Sequence, residues 1–183
     1  EHLSADLGRL LGLDRAPEVK TLRRKLTDLV RFQKAEIFGR KLAQERVARR
    51  GAMLGFLYID GHVRTYHGKR RISKTYSTRL RMALPATTDY WVNDKAGDPV
   101  FVVTAEFNEA LTMMLPTILE EVRRLVGKNR RVTTVFDRGG WSPKLFVKII
   151  REGFDILTYR KGRWREIAVK QFVTCTKTID GRK

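Results

Sequence analysis

The chain has 183 residues and a mass of 21.2 kDa, which suits one domain of ordinary size, and 42% hydrophobic residues can build a core. Its 38 Lys and Arg against 20 Asp and Glu give a net charge of +18, which favours a polyanionic partner, nucleic acid first. The single cysteine, Cys175, excludes an internal disulfide, and with only three histidines it excludes zinc-finger and iron–sulfur ligand sets.

No apolar stretch is long enough to span a bilayer, and no cleavable signal pattern opens the chain. We therefore predict a protein that crosses no membrane and works in the reducing cytoplasm, associated with the nucleoid. Residue 1 is Glu rather than Met, and a hairpin-turn pair, Asp180-Gly181, comes near the end without a partner strand after it. These features of the two ends predict that the sequence is a piece of a longer protein.

The positive charge is unevenly distributed. Residues 20–50 contain eleven basic and three acidic residues, a net charge of +8. Residues 61–88 contain seven basic and no acidic residues (+7), and residues 123–183 contain seventeen basic and five acidic residues (+12). Residues 89–122 sum to −6. Between the first two basic blocks the only charged residue is Asp60. Such a lone carboxylate is either a surface residue or a metal ligand, and both interpretations stay open at this point.

The first fifty residues are predicted to be helical. A short helix near residues 3–11 ends at Gly12, and Pro17 suits the start of a longer one. Along this longer helix, apolar residues recur at steps of three and four, which predicts one face that packs on a partner. This apolar stripe consists of Val19, Leu22, Leu26, Leu29, Val30 and Ile37. The basic face, which is either solvated or in contact with DNA, includes Arg23, Arg24 and Lys25.

From Gly51 onward the pattern changes to strands. Residues 53–60 form a compact apolar run, which predicts a buried strand with Asp60 at its carboxyl end, and residues 61–68 alternate as a second strand. A basic hairpin begins at Lys69, Arg70 and Arg71. A further strand pair is predicted around a turn at residues 93–97, so the opening sheet is expected to be antiparallel and about three-stranded.

Two helices and two strands complete the pattern. Asn108 is predicted to cap a helix that Pro116 kinks or breaks. Residues 132–137 form a β-branched strand ending in Asp137, and a helix capped by Ser142 leads to a last strand. The resulting order is β-β-β-α-β-α-β.

Asp60 and Asp137 each end a predicted strand, and ligands of α/β sheets bind beyond the carboxyl ends of strands. If the two strands are neighbours, the two carboxylates meet at one edge, where they can bridge divalent ions. Oxygen ligands suit Mg²⁺, and two such ions assist phosphodiester cleavage by acting on both the attacking and the leaving oxygen. The alternative, that each aspartate is only a turn or cap residue, remains open.

Two motifs resemble a known family. Tyr58-Ile-Asp60-Gly-His62, followed by Tyr66-His67-Gly68, and Val135-Phe-Asp137-Arg-Gly-Gly-Trp-Ser-Pro143 resemble the first and second acidic motifs of bacterial insertion-sequence DDE transposases. The stretch from Leu11 to Leu26 is similar to the helices that precede the core in that group, so the resemblance covers residues 10–165.

The resemblance implies an α/β fold with a ribonuclease H-like mixed sheet after a basic helical segment. The implied domains are a helical segment at 1–50, a catalytic core at 51–165 and the start of a β-rich insertion at 166–183. Asp60 and Asp137 would be the first two catalytic carboxylates and would hold two Mg²⁺ or Mn²⁺ ions. The implied activity is DNA cleavage and strand transfer at insertion-sequence ends, with DNA as partner at both the ends and the target, and with a homodimer in the DNA complex.

The family also needs a third acid, normally a glutamate on a later helix. Glu166 has one spacing of that motif, seven residues after Tyr159, but Gly162 and Val173 stand where the family has an arginine and a lysine. The true glutamate is therefore expected beyond Lys183, with Glu166 as the weaker candidate.

Two further groups are candidates for the site. Arg138 and the Lys69–Arg71 hairpin are predicted to contact phosphates, while His62 and His67 flank Asp60 and are either metal or phosphate ligands or ordinary strand histidines. Two other functions remain open: a non-catalytic DNA-binding fragment or decayed transposase, and another ribonuclease H-like nuclease such as a junction resolvase.

Overall fold

The computed structural model describes residues 8, 12–14, 16–50, 54–77, 80–105, 109–162 and 167–176. The chain divides into two compact units, Glu1–Leu42 and Ala43–Lys183. Within the described part of the chain, no helix is both long enough and apolar enough to cross a membrane. Residues 167–176 contain one 3₁₀ turn, Val169–Gln171, and no strand, so the β-rich insertion stays a prediction.

The predicted long basic helix is in fact two helices, α1 (Val19–Arg31) and α2 (Ala35–Arg50). Gln33 lies between them with a φ of 54°, and the Phe32 N–H donates to Asp28 O at 2.9 Å. A residue in the left-handed region ends a helix, and this turn interrupts the stripe before Ile37. The apolar face of α1 is exposed, with Val30 71% accessible. The helix α2 spans the boundary between the two units.

The second unit contains a six-stranded sheet with two helices. Its elements are β1 (Phe56–Thr65), β2 (Lys74–Ser77), β3 (Met82–Asn93), β4 (Pro99–Ala105), α3 (Leu111–Val126), β5 (Val132–Phe136), α4 (Pro143–Arg151) and β6 (Phe154–Thr158). The central strand β1 pairs antiparallel with β3 and parallel with β5, and β6 extends the parallel side. Both β2 and β4 pair with β3. The predicted mixed α/β sheet is confirmed.

One sequence-based boundary was wrong. The two strands expected at 53–60 and 61–68 are the single strand β1, so Asp60 lies within a strand and not at its end. Gly61 does not interrupt the strand because it pairs across the ladder with Tyr90 of β3. The expected opening sheet gains a strand as well, since β1 to β4 give four strands rather than three.

Alternate residues of the sheet form the core with α3 on one face. The fully buried members include Leu57, Val92, Leu115, Ile118, Val132 and Phe154. Pro116 lies inside α3 without breaking it, because the missing N–H costs one helical hydrogen bond while both neighbouring turns are buried. The observed N-cap is Ala110, which makes no side-chain cap bond, and the predicted cap Asn108 lies outside the described residues.

A cluster of ion pairs ties the end of α2 to the turn between β3 and β4. Asp94 is 1% exposed and closes the turn by accepting from the N–H groups of Ala96 and Asp98 at 2.9 and 3.1 Å. Arg46 and Arg50 reach the Asp94 and Asp98 carboxylates from α2. The Arg50 guanidinium, hydrogen-bonded to Asp98, holds the pKa of that carboxyl below its usual value. These contacts hold the last turns of α2 against the turn between β3 and β4.

Arg123 of α3 connects the two loops that lead into β5 and β6. Its guanidinium donates to the Gly127 and Arg130 carbonyls at 3.0 and 2.6 Å and to the Glu152 carbonyl at 2.8 Å. It also lies over the Phe154 ring, 4.2 Å from the centroid. The Arg123 side chain therefore holds in place both the loop that leads into β5 and the loop that leads into β6.

We predict that Arg123→Met lowers the free energy of unfolding by about 2 kcal/mol, because it removes charged hydrogen bonds to several carbonyls. Arg124→Met is the matched control on the same helix. Among the described residues, Arg124 pairs with Glu120 and Glu121 of its own helix, and its loss should cost about 0.5 kcal/mol. Urea denaturation measures both variants, and equal destabilisation would contradict the role given to Arg123.

Candidate active site

The parallel register of β1 and β5 brings the two candidate aspartates together. Ile59 of β1 is level with Phe136, the last residue of β5, so Asp60 and Asp137 each follow one residue beyond this last ladder pair. Asp137 has extended backbone angles, with φ −71° and ψ 174°, before the 3₁₀ turn begins. The two aspartates therefore follow adjacent backbones, since neighbouring strands lie about 4.8 Å apart.

Asp60 lies on the face of the sheet opposite to the α3 core. Tyr58, Asp60 and His62 are exposed, whereas Leu57 and Ile59 between them are buried. His62 therefore lies on the same face of the sheet as Asp60. His67 lies farther along the chain, where its Nε2 is 3.1 Å from the Thr65 hydroxyl.

Asp137 is held in a tight turn. Its Oδ1 accepts from the Gly139 N–H at 2.9 Å, which caps the 3₁₀ turn Arg138–Gly140. A Cβ on Gly139 would come within 2.8 Å of the same oxygen, and a Cβ on Gly140 would come within 2.5 Å of the Phe136 ring. Both positions thus require glycine, because a side chain would collide with Asp137 or Phe136. The interpretation of Asp137 as a cap residue is correct for one of its carboxylate oxygens, Oδ1. Among the described residues, none donates a hydrogen bond to the other oxygen, Oδ2.

Tyr90 of β3 is a buried core residue that packs against Gly61, the residue after Asp60, and the sequence pattern did not identify it as a neighbour of the site. Its ring faces Gly61, where a Cβ would come within 2.9 Å of Cε1, and its hydroxyl donates to the Glu109 carbonyl at 2.6 Å. Burial raises the pKa of the Tyr90 phenol, and the negative charges of Asp137 and Glu109 raise it further. The glycine of the Asp-Gly pair in β1 is therefore explained by the Tyr90 ring, which leaves no room for a side chain at Gly61.

Asp60 and Asp137 differ from the other described aspartates of this unit in their lack of arginine partners. Arg64 Nε lies 3.0 Å from Asp89, Arg131 lies 2.7 Å from Asp155, and Asp94 is bound by the arginines of α2. Within the described ranges, no basic side chain forms an ion pair with Asp60 or Asp137. Two adjacent carboxylates are thus left without a counter-charge in a chain of net charge +18.

These residues fit part of a divalent-metal site. Carboxylate oxygens on neighbouring strands are the hard ligands that Mg²⁺ and Mn²⁺ accept, and Mg²⁺ commonly takes only one or two protein carboxylates. In the part of the chain that the structure describes, no three His, Cys, Asp or Glu side chains converge on one point. Glu166 lies outside that part, so its role as a third acid stays a prediction.

The predicted DNA contacts occupy three places. Arg138 is exposed directly after Asp137, and Lys69, Arg70 and Arg71 lie exposed in the loop between β1 and β2. Tyr66 shapes that loop, because its hydroxyl accepts from the Arg70 N–H at 3.4 Å and a Cβ on Gly68 would overlap its ring. The third group lies on α1 in the other unit and consists of Arg23, Arg24 and Lys25.

Comparison with known proteins identifies the family. A family model described as "Transposase protein" matches residues 2–174. The chain belongs to this transposase family. The resemblance seen in the two acidic motifs is therefore confirmed at the level of the family, while the catalytic roles of individual residues stay predictions.

Solved structures similar to this transposase include the Mos1 mariner paired-end complex with Mn and the Mos1 strand transfer complex. Sequence identity is 12% in both cases, with TM-scores of 0.38 and 0.40, and each match covers 66% of this chain. The chain spans about 40% of the length of those Mos1 chains. No curated protein sequence matches it.

We predict that Gly61→Ala destabilises the transposase by about 1–3 kcal/mol, because the new methyl group displaces the Tyr90 ring. The double variant Gly61→Ala/Tyr90→Leu should cost less than the sum of the two single variants, since the smaller side chain leaves room for the methyl group. Urea denaturation of the four proteins in this cycle gives the coupling. Strict additivity would show that Gly61 and Tyr90 do not interact.

Proposed function

We propose that this chain carries the catalytic core of a DNA transposase, which cleaves phosphodiester bonds at insertion-sequence ends and joins the freed ends to target DNA in a metal-dependent reaction. The observation that supports it best is that Asp60 and Asp137 each follow the last ladder pair of two adjacent parallel strands, while no arginine among the described residues pairs with either carboxylate. Family membership supports the transposase class. The Mn in the Mos1 complex belongs to that protein, and the use of Mg²⁺ or Mn²⁺ here is part of the proposal.

Each part of the site has a distinct task in this proposal. Asp60, on a rigid central strand, and Asp137, held by its turn, would supply oxygen ligands to divalent ions. When bound, such ions assist attack by a water or a 3′-hydroxyl and stabilise the leaving oxygen. Arg138 follows Asp137 directly and would hold a phosphate of the cleaved strand beside these carboxylates.

The basic residues would hold DNA while the site acts. The loop with Lys69, Arg70 and Arg71 begins beyond Thr65, five residues after Asp60, which corresponds to about 16 Å along the strand. That distance suits contacts to the duplex beside the scissile phosphate. We also propose that Arg23, Arg24 and Lys25 of α1 bind DNA and that the protein acts in the nucleoid, as a homodimer in its DNA complex.

A second candidate function is DNA binding without catalysis. It is favoured by the finding that the described residues bring together two acidic ligands and not three. A decayed transposase would keep the basic loop and the fold but would bind metal weakly. A different ribonuclease H-like nuclease would instead prefer branched DNA, so comparing cleavage of branched and linear substrates separates it from a transposase.

The main prediction concerns the paired carboxylates. Asp60→Asn and Asp137→Asn should each abolish Mn²⁺-dependent cleavage and strand transfer by the full-length protein and weaken Mn²⁺ binding at least tenfold, while DNA affinity is retained. Electron paramagnetic resonance of free Mn²⁺ measures binding, and a labelled element-end duplex measures cleavage. Glu152→Gln, an exposed change before β6, is the control and should alter neither. Unchanged cleavage by Asp60→Asn would refute catalysis at this site.

A second prediction concerns the basic loop. Replacing Lys69, Arg70 and Arg71 by Ala should lower the affinity for duplex DNA. It should also reduce the magnitude of the slope of log binding constant against log salt concentration by about three, or about 0.9 for each lost phosphate contact. The control replaces Lys128, Lys148 and Arg151, which removes the same charge before β5 and β6, away from the aspartates. Fluorescence anisotropy over a salt series measures both, and equal losses would assign binding to net charge alone.

A further inference from the structure

Thr158, the last residue of β6, makes a contact that connects it to the candidate metal site. Its hydroxyl donates to the main-chain carbonyl of Asp137 at 3.0 Å. In the ladder, Thr158 is level with Phe136, the residue before Asp137. The hydroxyl therefore reaches one residue beyond the last ladder pair and holds the backbone where β5 ends.

Three bonds then restrain Asp137 from different directions. Its carbonyl oxygen accepts from the Thr158 hydroxyl and from the Gly140 N–H, the latter at 3.1 Å, and its Oδ1 accepts from the Gly139 N–H. Asp60 needs no such support because it lies within β1, paired on one side with β3. Asp137 lies beyond the last ladder pair of β5, so its position depends on the turn and on Thr158.

We propose that Thr158 is a positioning residue, which fixes the Asp137 backbone so that the free Oδ2 faces the metal position beside Asp60. This inference rests on the proposed function. Groups that orient a metal ligand from behind commonly change metal affinity by tenfold or more when they are removed. Neither acidic motif contains Thr158, and its sequence context marks it only as the end of a strand.

The chain offers a matched control for this hydrogen bond. Thr134 of β5 also donates its hydroxyl to a main-chain carbonyl on the neighbouring strand, that of Asp155, at 3.1 Å. It is fully buried and lies three residues before Asp137. Thr134→Val removes the same kind of bond between the same two strands without touching the turn.

The test compares Mn²⁺ affinity, measured by electron paramagnetic resonance, with thermal stability, measured by circular dichroism, for variants of the whole chain. Thr158→Val should weaken Mn²⁺ binding about tenfold, Thr158→Ser should restore it to within about twofold, and Thr134→Val should lower the melting temperature while leaving Mn²⁺ affinity unchanged. Thr158→Ala replaces the valine variant if that one does not fold.

The outcomes separate this inference from the proposed function. If Asp137→Asn weakens Mn²⁺ binding and Thr158→Val does not, the positioning role is wrong and the metal site stands. If Asp137→Asn leaves Mn²⁺ binding unchanged, the metal site itself is wrong. Equal weakening by Thr158→Val and Thr134→Val would show a general loosening of the β5–β6 pair, and this too would overturn the positioning role.

Discussion

The parallel pairing of β1 with β5 is the constraint on which the rest of the site depends. A slip of one residue would turn Leu57 and Ile59 out of the core, which is strongly unfavourable because both are almost fully buried. The same slip would separate Asp60 from Asp137. Burial of apolar side chains on one face therefore fixes the alignment of the two carboxylates, and core packing and site geometry are set by one register.

The two aspartates reach the same place by different physical means. Asp60 lies inside a long strand, where the sheet itself makes the position rigid, and Gly61 beside it leaves room for Tyr90. Asp137 lies past the end of a five-residue strand and depends on a turn that tolerates no side chain at Gly139 or Gly140. The glycines of the second motif are thus explained by contacts with Asp137 and Phe136 rather than by flexibility.

Hydrophobic patterning predicted the order of strands and helices, whereas the expected mixed sheet and the roles of the two aspartates came from the resemblance of the two acidic motifs. The sequence pattern failed at one local turn and at contacts between residues that are distant in sequence. The break between α1 and α2 depends on Gln33, which has a left-handed backbone conformation although it is not a glycine. The continuity of β1 through Gly61 depends on its pairing with Tyr90 of β3. Thr158 could not be found from sequence either, since its role follows from its register with Phe136 on another strand.

The lack of arginine partners at Asp60 and Asp137 is informative because arginines are abundant. Asp89, Asp94 and Asp155 each have one, so the fold readily neutralises carboxylates where it uses them for structure. An arginine paired with these carboxylates would compete with a divalent cation for their oxygens. Leaving the pair without arginine partners keeps both carboxylates available as ligands.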